Sequence, residues 1–132
     1  MKTYDFISMK KDMLEYAEDV AKDKRVEYTG ASEDILTNFK RIADRLGISP
    51  LQVWAVYFNK HVDSVNTFTK GTDKISEPME SRFADMLNYL FLGMALIIEQ
   101  EESQGRPSTN QQEDSEEFSF SIGHDEPTQL GI

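Results

Sequence analysis

Three groups of polar residues sit at spacings that could do chemistry. Lys60 is followed one turn later by Asp63 and Ser64, Arg82 one turn later by Asp85 and two turns later by Asn88 and Tyr89, and the acids Glu77 and Glu80 lie just upstream of Arg82. At about 100° per residue, Arg82, Asp85 and Tyr89 share one side of a helix, with Asn88 adjoining and Glu80 toward its apolar edge. Carboxylates so placed can hold Mg²⁺ through one or two oxygens, the mode used when a substrate supplies phosphate ligands. Lys60 falls among Val53, Val56 and Tyr57, and a cation among apolar groups is costly unless it meets an anion. A phosphate or a carboxylate at a pocket or subunit interface would meet that need. The plainer alternatives are surface ion pairs at i,i+3, Lys60 with Asp63 and Arg82 with Asp85. His61 and His124 have no second histidine at ligand spacing.

The elements that must position these residues read as helices. Four segments carry a helical apolar period, about 4–24, 32–47, 50–70 and 77–102, and nothing before Glu117 alternates like a strand. The first has Phe6, Met13, Leu14, Ala17, Val20 and Ala21 on one face, with Asp12, Glu15, Glu18 and Asp19 opposite as a solvated face. Lys10 and Lys24 project close to its apolar axis, where each must snorkel or meet an anion. Ser32 reads as the cap of the second, which stops at Gly47. Ser49 with Pro50 opens the third, and Pro78 lies in the first turn of the fourth. The apolar arc of the fourth, from Phe83 to Ile98, is wider than one neighbouring helix covers, which predicts a homodimer or higher oligomer, or a central place in the bundle.

Composition sets the limits. The chain of 132 residues has no cysteine, so disulfides, thiolate zinc sites and cysteine nucleophiles are excluded. Residues 1–100 hold 16 acids and 13 bases, a net of -3, and residues 101–132 hold 8 acids and one base, a net of -7. That distribution argues against duplex nucleic-acid binding and against an anionic membrane surface. The charged N-terminus has no secretory core, and the Leu90–Ile98 run is shorter than a membrane span, so a cytoplasmic protein is expected. The division expected is an all-α domain over 1–102 and a disordered acidic tail over 103–132. Within that tail, residues 113–122 centre on the alternating Phe118-Ser-Phe-Ser-Ile122, which could add as a strand to a protein partner.

Taken in register, Glu27-Tyr28, Asn38-Phe39, the Gly47-to-Trp54 helix start, Lys60 with Asp63-Ser64, and Glu77, Arg82, Asp85 and Asn88-Tyr89 resemble the nucleotide modification associated domain type 1. This is a small all-α family of phages and bacteria, distantly MazG-like. The resemblance covers roughly Val20 to Glu101. It implies an oligomeric protein of nucleotide metabolism or DNA modification that binds a (deoxy)nucleoside phosphate. Tyr28, Asn38, Lys60, Ser64, Arg82, Asn88 and Tyr89 would contact the substrate, Glu77 and Asp85 would hold Mg²⁺, and Asp85 and Glu80 would serve a hydrolysis. MazG-like enzymes use an ExxE pair and a later ExxD pair. Here Glu15-Tyr-Ala-Glu18 has the first spacing, but Arg82-Phe-Ala-Asp85 puts a cation where the second needs an acid. A non-catalytic binder that sequesters a nucleotide signal is therefore the alternative, and an acidic interaction protein the third reading.

Overall fold

A computed structural model of the chain describes residues 1–71 and 76–105. The expectations for the tail beyond residue 105, including the segment 113–122, lie outside the described residues.

The described chain is all-helical, with four helices: α1 (Thr3–Thr29), α2 (Thr37–Leu46), α3 (Pro50–Thr69) and α4 (Met79–Ser103). Their order and number are those the apolar periods predict, and two boundaries differ in instructive ways. α1 does not stop near Lys24. Arg25 to Thr29 contain neither glycine nor proline, so the helix runs on until Gly30, and this extension carries Tyr28 into the site described below. α2 starts five residues later than Ser32 suggested. Asp34 Oδ1 accepts from the Leu36 amide at 2.9 Å and Ser32 Oγ from the Asp34 amide at 3.2 Å, so both side chains are spent on a turn that competes with the helix start.

Ser49 does cap α3 as expected. Its Oγ accepts from the Gln52 amide at 3.1 Å while the Gln52 side chain accepts from the Ser49 amide at 2.9 Å, closing a reciprocal capping box. Gly47, at φ 68°, supplies the left-handed turn that lets α2 reverse into α3.

Three helices build the core. Leu36 and the α2 residues Phe39 and Ala43 pack with Val53 of α3 and Leu96 of α4, and Trp54, Tyr57 and Tyr89 close over them. Phe39 meets Tyr57 and Tyr89 edge-on, with ring centroids 6.3 and 6.2 Å apart, the arrangement aromatic quadrupoles favour. α3 and α4 approach closely where Trp54 crosses Gly93. The indole Nε1 donates to the Tyr89 carbonyl at 2.6 Å, and a β-carbon on residue 93 would lie 2.6 Å from Trp54 Cε2. α1 crosses α4 at Ala17, which is buried, and Asn88 Nδ2 donates to the Ala17 carbonyl at 2.8 Å.

The apolar arc of α4 remains largely uncovered. Phe83, Leu90, Phe91, Met94, Ile97 and Ile98 are 39–61% exposed. α4 is also long and apolar enough to cross a membrane by length and composition, although its most apolar run, Leu90 to Ile98, is short. Its packed side carries Asp85 and Asn88 against α1.

Candidate functional site

The C-terminal half of α1, the start of α2, the middle of α3 and the first half of α4 enclose a cleft of about 620 Å³. Of the residues the sequence singled out, Tyr28, Asn38, Lys60, Glu77, Arg82, Asp85, Asn88 and Tyr89 line it. Three do not. Asp63 and Ser64 lie one turn further along α3, and Glu80 faces a separate, open groove against the first half of α1 with Asp5, Asp12 and Tyr16. The reason is helical phase. Glu80 is five residues from Asp85, about 140° around α4, so the two carboxylates point to different neighbours.

Opposite charges meet in pairs around the cleft. Lys24 of α1 stands 2.7 Å from the Asp85 carboxylate, whose side chain is only 9% exposed. Arg82 Nε is 3.6 Å from Glu77, and Arg82 Nη2 donates to Ser76 Oγ at 3.1 Å. Arg25 is 3.8 Å from Glu18, so Glu18 belongs to the rim of the cleft and not wholly to a solvated face. Neither i,i+3 alternative forms among the described residues: Arg82 turns to Glu77, Asp85 to Lys24, and Lys60 makes no ion pair. Lys60 is exposed on the cleft wall as its one cation without a carboxylate partner among the described residues.

Aromatic surface lies between these cations. Tyr57 and Tyr89 stack with centroids 6.5 Å apart, and the His61 imidazole tilts over Tyr89 at 4.9 Å. Burial pushes the Tyr89 phenol up to about 12, helped by the neighbouring phenols of Tyr28 and Tyr57 and by Asp85, so it remains a protonated donor at neutral pH. Burial also holds the His61 imidazole below its usual 6.5. Asp85 pulls the other way, and the cations Arg82, Lys24 and Lys60 reinforce the lowering. His61 Nδ1 is buried without a hydrogen-bond partner. Such an orphan is costly to leave in a wall unless a ligand or water meets it.

Two amides are already engaged. Asn88 commits its NH₂ to the α1 backbone, leaving Oδ1 for other use, and Asn38 Oδ1 accepts from Arg41 at 2.9 Å.

The carboxylates of the cleft stand in ion pairs and are not grouped together. No group of three or more His, Asp or Glu side chains that could hold a metal gathers among the described residues. The three carboxylates of the cleft, Glu18, Glu77 and Asp85, each face a basic side chain. A divalent cation would have to displace Lys24 or Arg82 and then sit beside their positive charge. Counting Lys24, Arg25, Lys60 and Arg82 against those three acids, the lining carries a formal charge of +1 on a chain of -10. What the cleft can do is bind a planar, anionic molecule by stacking and by charge-assisted hydrogen bonds.

Reading the sequence missed Lys24, His61 and Tyr57 as members of the site. Lys24 had a visible signal, a cation near the apolar axis of its helix. His61 had none, since its place depends on Tyr89 coming from another helix.

No family model matches this chain, and no curated protein and no solved structure matches it.

Proposed function

We propose that the protein binds a nucleoside phosphate in this cleft without a metal ion, as a non-catalytic binder of nucleotides. The observation that carries this reading is the lining itself. Tyr57, Tyr89 and His61 offer ring surface for a base, while Lys60 and Arg82 stand on the same walls to take phosphate oxygens. Three pairings of acid with base support binding over hydrolysis, because they occupy the carboxylates that a metal-dependent hydrolase would need. The resemblance to the nucleotide modification associated domain type 1 supports the ligand class, and with it a setting in nucleotide metabolism, DNA modification or sequestration of a nucleotide signal.

Thermal unfolding against a panel of ribo- and deoxynucleoside mono-, di- and triphosphates, with EDTA present, tests the reading. Binding to the folded state alone raises the midpoint in proportion to the logarithm of ligand concentration. A rise that survives EDTA and is lost in Lys60→Ala is the expected result. No stabilisation by any nucleotide would overturn the proposal. Stabilisation that requires Mg²⁺, with release of phosphate or pyrophosphate, would replace it by the hydrolase reading.

A further inference from the structure

Asn88 presents its amide to the cleft in one orientation only. Its Nδ2 donates to the Ala17 carbonyl of α1 at 2.8 Å, and a carbonyl can only accept, so chemistry fixes which end of the amide is which. The nitrogen end is anchored on α1. What Asn88 offers a ligand is therefore its oxygen end, an acceptor with two lone pairs. Asp85, one turn earlier on α4 and lining the same cleft, is a second acceptor: Lys24 meets its Oδ1 at 2.7 Å, and the carboxylate keeps further lone pairs.

α4 also sets where along the cleft these acceptors stand. Arg82 lies six residues before Asn88, about 9 Å along the axis at about 1.5 Å per residue, so a phosphate held by Arg82 is remote from the amide. Tyr89 follows Asn88 directly. Its ring, with His61 at 4.9 Å and Tyr57 at 6.5 Å, is the surface on which a base stacks in the reading above. Asn88 Oδ1 therefore belongs to the base end of the cleft, with Asp85 between it and the phosphate end.

Bases differ in what they show to such acceptors. Adenine and cytosine carry an exocyclic amino group, which donates, where hypoxanthine and uracil carry a keto oxygen, which accepts. The single N–H of a keto edge lies beside a keto oxygen, so a wall with two acceptors sets one of them against that oxygen and repels it. The two-point clasp of adenine by asparagine needs the amide NH₂ as well, and here that group is held by α1. Asn88 can thus tell amino from keto but not adenine from cytosine. The phenols of Tyr28 and Tyr57 both donate and accept, so they add no preference.

Granted the nucleotide reading above, on which this rests, we infer that the cleft selects nucleotides whose base carries an exocyclic amino group, with Asn88 Oδ1 accepting its hydrogen bond. Calorimetric titration of the full-length chain with EDTA present compares ligands that differ in that group: CTP with UTP, and ATP with inosine triphosphate. CTP and ATP should each bind about 10- to 100-fold more tightly than their keto partners. The dimethylamino analogue of ATP, which keeps the ring and loses the donor, should fall to the level of inosine triphosphate. Asn88→Ala should bring CTP and UTP together. If that variant does not fold without its hold on Ala17, the matched ligands on the wild-type chain still decide. Amino and keto partners that bind equally, or a preference for keto, overturn the inference and leave the nucleotide reading standing. Equal binding of all four bases with a loss from ATP to dATP puts the donor on the sugar and overturns it too. If no nucleotide binds, that reading falls and this inference with it.

Discussion

Lys24 and Asp85 meet at 2.7 Å although 61 residues separate them, and their contact ties α1 to α4 at the wall of the cleft. The pair is asymmetric. Asp85 is nearly buried, whereas the Lys24 side chain keeps 44% of its surface in water.

That asymmetry decides which substitution hurts. Lys24→Met leaves a buried carboxylate without its cation and should lower stability by about 2 kcal/mol, while Asp85→Asn, which lets Lys24 swing into water, should cost about half as much. Urea unfolding of the two variants and of the double variant measures the difference.

Gly93→Ala places a β-carbon against the indole of Trp54. The ring must leave the Tyr89 carbonyl or push α3 away from α4, at a cost of about 1–3 kcal/mol. Trp54 is the chain's single tryptophan, so its emission reports the displacement directly.

The His61 imidazole, held below 6.5 by burial, gives a pH dependence of definite sign. Its folded value is depressed, so the unfolded chain binds the proton first. The stabilisation is present above about pH 6.5 and is lost as the pH falls through the folded value. Stability measured between pH 7.5 and 5 should therefore decline, and His61→Gln should flatten the decline. Asp34, lowered mainly by its hydrogen bond from Lys40, adds a second loss only as the pH falls below about 3.8.

Lys60→Ala should reduce nucleotide affinity by about 10- to 100-fold, the value of a lost charge-assisted hydrogen bond. The unliganded midpoint should stay unchanged, because Lys60 has no ion pair among the described residues to lose. Arg82→Ala should show both effects, since it also frees Glu77 and Ser76. Calorimetric titration together with thermal unfolding of the free variants separates the two cases.

How far the site could be read from the chain depends on range. Arg82, Asp85, Asn88 and Tyr89 could be grouped by helical phase alone, because one period fixes their common side. Glu80 shows where that reasoning is too coarse. It is near Asp85 in sequence, yet its angle around α4 sends it to another groove. The bland pairs of Lys60 with Asp63 and of Arg82 with Asp85 were equally allowed by spacing, and the ion pairs that do form around Arg82 and Asp85 use Glu77 before the helix and Lys24 on another one.

By itself the sequence determined what depends on neighbours along the chain: four helices in order, the Ser49 capping box, the stop at Gly47, and the wide apolar arc of α4. Only the tertiary structure decided which charges neutralise one another, that Tyr57 and His61 share a wall with Tyr89, and that Gly93 makes room for Trp54. The physical reason is that a helix's period is set by its own backbone. A counter-ion or stacking partner is set by how two helices cross, and local spacing carries no record of that angle.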